Sequence, residues 1–241
     1  PETVGQTVTL DTVGSGGFFA GLRRDRSKDS YTVTAVIPIR DGSQEGGLEE
    51  NRLRVAGNDY PQEVHDLYLA PSPPGTMGPS ARQLLADMVA AAPDGADSHP
   101  YHIARTMETQ FRRNDLFKYS TDVRRLPCAE ERLSAVECFA RYKTGYCQYY
   151  ATTMAIFLRE LGIPSRVADG YLPGERDDRT GQETLLALNR HEWVEVFFPG
   201  SGWVPFDPTG GGVAVLGPLA SGAPVASTSP RPSSSLGPGS S

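Results

Sequence analysis

An α+β fold with an antiparallel sheet is what this sequence predicts, on three observations. Helical periodicity is concentrated between about residues 79 and 161. Strand-like segments then follow one another, without the helix–strand alternation that a parallel sheet requires. A separate Thr-, Val- and Gly-rich stretch precedes both, so 241 residues read as a main domain with a small β-rich companion.

The companion covers residues 1–75. Its clearest element is DSYTVTAVIPIR, whose alternating β-branched residues predict a strand ending near Pro38. DGSQEGG follows as a turn, and NRLRVAG as a further short strand. SPPGTMGPS is a linker into the main domain, residues 76–215, where Pro79 or Ser80 opens the helix ARQLLADMVAAA with Leu84, Leu85 and Met88 on one side. HIARTMETQFRRN is a second helix, with Ile103, Met107 and Phe111 spaced by four. A further helix begins near Cys147; Tyr150, Met154, Phe157, Leu158 and Leu161 line its apolar face, and Gly162 and Pro164 end it. Three strands close the domain: SRVADGY, a long ETLLALNRHEWVEVFF, and GWVPFDPT. Residues 216–241 form a linker: 15 of the 21 residues from Ser221 are Ser, Gly or Pro, too little apolar surface to offset the entropy of ordering.

Composition excludes several functions. A net charge of −6 without a basic run argues against nucleic acid as a partner. No stretch approaches the roughly 18 apolar residues of a membrane span. The chain starts at Pro1 rather than methionine and reads as a piece of a longer one, so any membrane attachment would come through segments absent from it.

Cys147 raises the question of chemistry. A thiol at a helix N-terminus feels roughly half a positive charge, which favours the nucleophilic thiolate; a free cysteine can equally be a small buried hydrophobe. A cysteine nucleophile needs a base and a group that orients the base. Of four histidines, His99 and His102 form HPYH, which lacks the further ligands a metal requires, and His65 has no catalytic context. His191 shares a strand face with Trp193, Glu195 and Phe197. PGSG then turns the chain, and Asp207, 16 residues after His191, returns beside it to within a slip that a bulge could absorb.

Cysteine on a helix, then histidine and aspartate on adjacent antiparallel strands, resembles the transglutaminase-like superfamily, with its papain-like core of helices packed on an antiparallel sheet. GYCQYYATTMAIFLRELGIPSRVADGYLPGE and HEWVEVFFPGSGWVPFDPT look like that family's cysteine and histidine–aspartate blocks. The resemblance runs from about Ser80 to Gly212 and is to the bacterial, membrane-anchored protein-glutamine gamma-glutamyltransferases. Many family members have a small residue where Glu192 stands. The resemblance implies acyl transfer by a Cys147–His191–Asp207 triad, with a glutamine side chain as acyl donor and an amine such as lysine as acceptor. It also implies no cofactor, protein or peptide substrates in the cell envelope, and an extracytoplasmic domain between hydrophobic helices. Tyr146 and Trp193 are candidate substrate contacts; for Trp193 a core role is the equal alternative. A peptidase or amidase would use the same triad with water as acceptor, and a binding or scaffold domain would keep the fold without the chemistry.

Cys128 and Cys138 either form a disulfide, as suits an extracytoplasmic setting, or remain reduced and buried. On one straight helix they would face apart, so a bond requires Cys128 to fold back. The acidic loop PGERDDRTGQ lacks the alternating oxygen ligands of a calcium loop and reads as a solvated hairpin tip.

Overall fold

Alternating β-branched residues at the N-terminus give two antiparallel strands, β1 (Thr3–Asp11) and β2 (Ser30–Pro38), with Val4 level with Ile37 and Val8 level with Val33. The structure is a computed structural model that describes residues 3–11, 30–38, 48–180 and 183–211. The turn expected at DGSQEGG and the linker expected from residue 216 lie outside the described residues.

NRLRVAG is not a strand. It belongs to helix α1 (Leu48–Arg54) and the turn after it. Glu50 and Arg54 pair one helical turn apart, and Leu53 enters the main core at 5% exposure. A strand here would need a ladder partner, whereas the helix satisfies its backbone locally. Helix α2 (Gln62–Tyr68) follows.

Helices α3 (Pro79–Ala90) and α4 (Pro100–Phe111) start with proline, which has no N–H to orphan there. Helix α5 (Ala135–Tyr142) is capped by Ser134, whose hydroxyl accepts the Glu137 N–H at 3.0 Å and donates to the Thr76 carbonyl at 2.6 Å. Glu137 in turn accepts the Ser80 and Ala81 N–H groups at 3.0 and 2.8 Å, which caps α3 and locks the two helices together. Short strands β3 (Lys118–Tyr119) and β4 (Thr144–Gly145) pair in parallel just ahead of α6 (Cys147–Glu160).

Helix α6 runs through the middle of the domain, against α5 on one side and the sheet on the other. Tyr150, Met154, Phe157 and Leu158 are fully buried. Leu161 is not part of that face: it follows the last helical residue and is 39% exposed, and the buried Ile163 takes its place. Gly162, at φ +74°, makes the left-handed step that turns the chain there.

The main sheet is antiparallel, ordered β5 (Ser165–Tyr171), β8 (Arg190–Phe198), β9 (Gly202–Phe206), with β8 central. The long strand expected from ETLLALN onward starts only at Arg190. Its first part is a small hairpin of β6 (Glu175–Arg176) and β7 (Glu183–Thr184) with a 3₁₀ turn at Ala187–Asn189, in which the Asn189 side chain accepts the Leu186 N–H at 2.8 Å. Val194, Val196 and Phe198 of β8 are buried, while Trp193, Glu195 and Phe197 occupy the outer face. There Trp203 packs edge-on against Phe197 and against Tyr68 of α2, and the Arg166 guanidinium stacks 4.1 Å from the Trp203 ring. No helix among the described residues is long and apolar enough to cross a membrane.

Candidate active site

Cys147 is the first residue of α6, and Tyr146 stands at the N-cap position without a side-chain capping bond. Two features hold this junction. The Ser120 N–H donates to the Gly145 carbonyl at 2.8 Å. A Cβ at Gly145 would lie 2.7 Å from Tyr149 Cβ, so only glycine lets the chain pass the first turn of its own helix. Cys147 is partly exposed, and among the described residues it is the free cysteine. Cys128 and Cys138 are joined, with Cα atoms 5.6 Å apart. The two cysteines do not share a straight helix: α5 starts only at Ala135, and a left-handed Arg132 at φ +55° turns the chain so that the Leu133 N–H reaches the Cys128 carbonyl at 2.8 Å.

His191 lies near the start of β8 and is 2% exposed, the one buried member of its strand face. Its Nε2–H donates to Asp207 Oδ2 at 2.9 Å, and Cys147 stands close enough for its charge to act on the ring. With Nε2 engaged by the carboxylate, Nδ1 is the ring nitrogen left for the sulfur. Burial pulls the imidazole toward neutrality, but the hydrogen bond to Asp207 and the charges of Asp207 and Cys147 outweigh it and push the His191 pKa up to about 9.

Asp207 reaches His191 by a different route from the one its spacing suggests. The ladder pairs Val194 with Phe206, a register that puts Thr209 and not Asp207 level with His191. No bulge is involved. Strand β9 ends at Phe206, and Asp207 leans back diagonally from the first position past the ladder. It is 2% exposed and held on every side. Its N–H donates to Glu108 Oε1 at 2.8 Å, its carbonyl accepts from Arg112 Nη1 at 3.0 Å, and its Oδ1 accepts the Thr209 N–H at 3.0 Å. Beyond it, the Gly211 N–H donates to Asn114 Oδ1 at 2.8 Å, and a Cβ at Gly211 would lie 2.6 Å from Tyr119 Cβ.

The candidate substrate contacts flank the pair. A Cβ at Gly170, which is level with His191, would stand 2.7 Å from Trp193 Cη2, so the indole lies over the glycine beside the histidine. Tyr146 packs edge-on against Tyr149 at 5.2 Å and donates its hydroxyl to Gln148 Oε1 at 3.0 Å. Burial and the nearby Tyr149, Cys147 and Glu192 raise its pKa. Burial raises Glu192 too, helped by Asp169 across the ladder. Tyr119, whose pKa is raised by burial and by Cys147, belongs to the same neighbourhood and was not singled out from the sequence.

The histidine pair HPYH is occupied by protein. His99 Nδ1 accepts the Tyr101 N–H at 3.2 Å and caps α4, Nε2 is 2.6 Å from the Ala56 carbonyl, and Arg54 donates to His102 at 3.3 Å. In the acidic loop, Asp177 Oδ1 accepts the Arg179 and Thr180 N–H groups at 2.9 and 3.3 Å, a turn-closing role. Among the described residues no group of three or more His, Cys, Asp or Glu side chains could hold a metal ion.

A model of the transglutaminase-like superfamily matches residues 87–208, a span that contains Cys147, His191 and Asp207. The chain belongs to the transglutaminase-like superfamily. The uncharacterised protein YebA of Bacillus subtilis is 28% identical over 190 residues, covering 77% of this chain and 24% of that protein. A protein-glutamine gamma-glutamyltransferase of Pseudomonas aeruginosa is 40% identical over 67 residues, 28% of this chain and 10% of that protein. The chain thus spans about a quarter of the length of the first relative and a tenth of the second. The periplasmic domain of TgpA from Pseudomonas aeruginosa bound to ethylmercury superposes with a TM-score of 0.50 at 26% identity, over 63% of this chain and 50% of that one. The fold is therefore transglutaminase-like, with helices packed on an antiparallel sheet.

Proposed function

We propose that this chain is the catalytic part of a protein-glutamine gamma-glutamyltransferase that works through a thioester on Cys147. The observation that carries the reading is the buried His191–Asp207 hydrogen bond beside Cys147, which stands at the start of a helix whose first N–H groups have no intrahelical acceptor.

In the proposed cycle the Cys147 thiolate, its proton already held by the His191 imidazolium, attacks the carboxamide carbon of a glutamine side chain. The tetrahedral oxyanion is met by the Cys147 N–H at the helix start. His191 then protonates the leaving nitrogen, the C–N bond breaks, and ammonia departs, leaving the thioester. A primary amine attacks next; His191 takes its proton, the C–S bond breaks, and the thiolate–imidazolium pair is restored. Asp207 holds Nε2 throughout and stabilises the imidazolium in both half-reactions. Trp193 and Tyr146 are proposed to flank the acyl chain and the incoming amine.

A protein or peptide of the cell envelope is the proposed substrate, and an extracytoplasmic, membrane-tethered domain the proposed setting. Supporting this are the Cys128–Cys138 bond, of a kind rare in reducing compartments, and the likeness to the periplasmic domain of TgpA. The test is incubation with a glutamine-containing peptide and a labelled primary amine, following both label incorporation and ammonia release. Incorporation that Cys147→Ala abolishes supports the transferase. Ammonia without incorporation replaces it by an amidase, and neither product overturns catalysis on this substrate class.

A further inference from the structure

Helix α4 presents Ala104, Met107, Glu108 and Phe111 along a single stripe, the i, i+3, i+4, i+7 spacing of a buried face. Three of them are fully buried and apolar. The fourth is a carboxylate at 7% exposure. Burying a carboxylate is costly without partners, and burial does raise the pKa of Glu108 despite the opposing pull of Arg105, of the Asp207 N–H and of Arg112. Its two oxygens are used differently. Oε2 pairs with Arg105 one turn back on the same helix, toward solvent. Oε1 points inward and accepts the backbone N–H of Asp207 at 2.8 Å, across 99 residues of sequence.

We infer that Glu108 is a positioning residue that fixes where the Asp207 carboxylate stands, and through it the orientation of the His191 ring. This inference rests on the triad proposed above. The physical reason is the way β9 ends. Asp207 lies one residue past the last ladder pair, so the sheet holds neither its N–H nor its carbonyl. Helix α4 supplies both missing partners, Glu108 for the N–H and Arg112, four residues later, for the carbonyl. Those two bonds set the Asp207 backbone, while Thr209 N–H holds Oδ1 so that Oδ2 faces Nε2. Removing the acceptor leaves a buried N–H unpaired, and the peptide is then free to rotate away from the histidine.

The test compares Glu108→Gln, whose amide oxygen can still accept the Asp207 N–H, with Glu108→Met, which has similar bulk and no acceptor of that kind. Phe111→Leu, on the same buried stripe and outside the triad, controls for plain loss of packing. Two quantities are read: the His191 imidazole titration by NMR, which needs no substrate, and turnover of the glutamine peptide with labelled amine. In Glu108→Met the His191 midpoint is expected to move from about 9 toward the ordinary value near 6.5, with kcat reduced about tenfold to a hundredfold and KM little changed. Glu108→Gln should stay within about threefold of wild type in kcat and keep the raised midpoint, since its amide oxygen still accepts the Asp207 N–H. Phe111→Leu should lower the melting temperature without moving the midpoint. If Glu108→Met does not fold, Glu108→Asp carries the same expectation, because it keeps the charge beside Arg105 but withdraws the oxygen by one methylene. A wild-type midpoint in whichever of these two folds, a Glu108→Gln as impaired as Glu108→Met, or a Phe111→Leu that shifts the midpoint equally would each overturn the inference. The two ideas fail separately: turnover that survives Cys147→Ala removes the triad reading, while the NMR titration still decides whether Glu108 governs the Asp207–His191 pair.

Discussion

The two ends of the Cys147–His191–Asp207 line are built in opposite ways. The cysteine end is mostly local: a glycine held by the Ser120 N–H and the first turn of one helix set the position of the sulfur, and the hydrophobic stripe of the same helix anchors it in the core. The aspartate end is assembled from a distance. Its residue hangs off the end of β9 and is held by Glu108 and Arg112 of α4 and by its own downstream turn. The lesson is that Cys147 is placed mainly by its own helix start and the strand pairing beside it, whereas Asp207 depends on a helix remote in sequence.

Breaking the local end should have the largest effect. Cys147→Ala is expected to reduce amine incorporation to background with the melting temperature unchanged within error, since the side chain contributes little burial; a variant that still turns over removes the thioester mechanism. At the distant end, Asp207→Asn should cost about 10²- to 10⁴-fold in kcat, because an amide can occupy the site but cannot stabilise imidazolium. Circular dichroism and KM, both expected near wild type, separate that outcome from misfolding.

Smaller effects sharpen the contrast. Replacing Cys128 and Cys138 together by serine opens a link between residues separated by 10 positions, ahead of the cysteine end. Chemical denaturation should show a loss of about 2–3 kcal/mol, with kcat per folded molecule unchanged; a matching fall in kcat would tie the loop to the site. The last effect is on the pH dependence of stability. The folded pKa of His191, about 9, lies above its ordinary 6.5, so the stabilisation it brings is complete below about 6.5 and is lost as pH rises through 9. Wild type should lose several degrees of melting temperature across that window relative to His191→Gln, and parallel curves would contradict the raised value.

This asymmetry also explains what was legible in the sequence. The apolar spacing of α6 and its glycine–proline stop are local signals, and Cys147 could be put at a helix start from them. His191 and Asp207 were legible as partners from the turn between them, but their register was not: the spacing suggested near-opposition with a bulge, and the fold uses a diagonal reach from beyond the strand. NRLRVAG and ETLLALN carry the alternation and apolar content of a strand, yet Leu53 is buried by a helix and Leu186 and Leu188 stay exposed in a turn. Glu108 does carry a signal in the sequence. A carboxylate between Met107 and Phe111 on the stripe that Ala104 begins contradicts an apolar face, and such a contradiction marks a buried polar task.

The end of β9 at Phe206 has a consequence for how this chain tolerates changes in length. The turn at residues 199–201 lies outside the ladder, which resumes with Phe198 level with Gly202, so extra residues there lengthen a surface loop and leave the pairing untouched. A single residue inserted between Val204 and Asp207 would instead reverse the alternation of everything after it and swing the carboxylate to the wrong side of the strand. Lineages that carry this domain are thus expected to vary freely in the size of the β8–β9 turn while conserving, to the residue, the short count from the last buried valine to the acid.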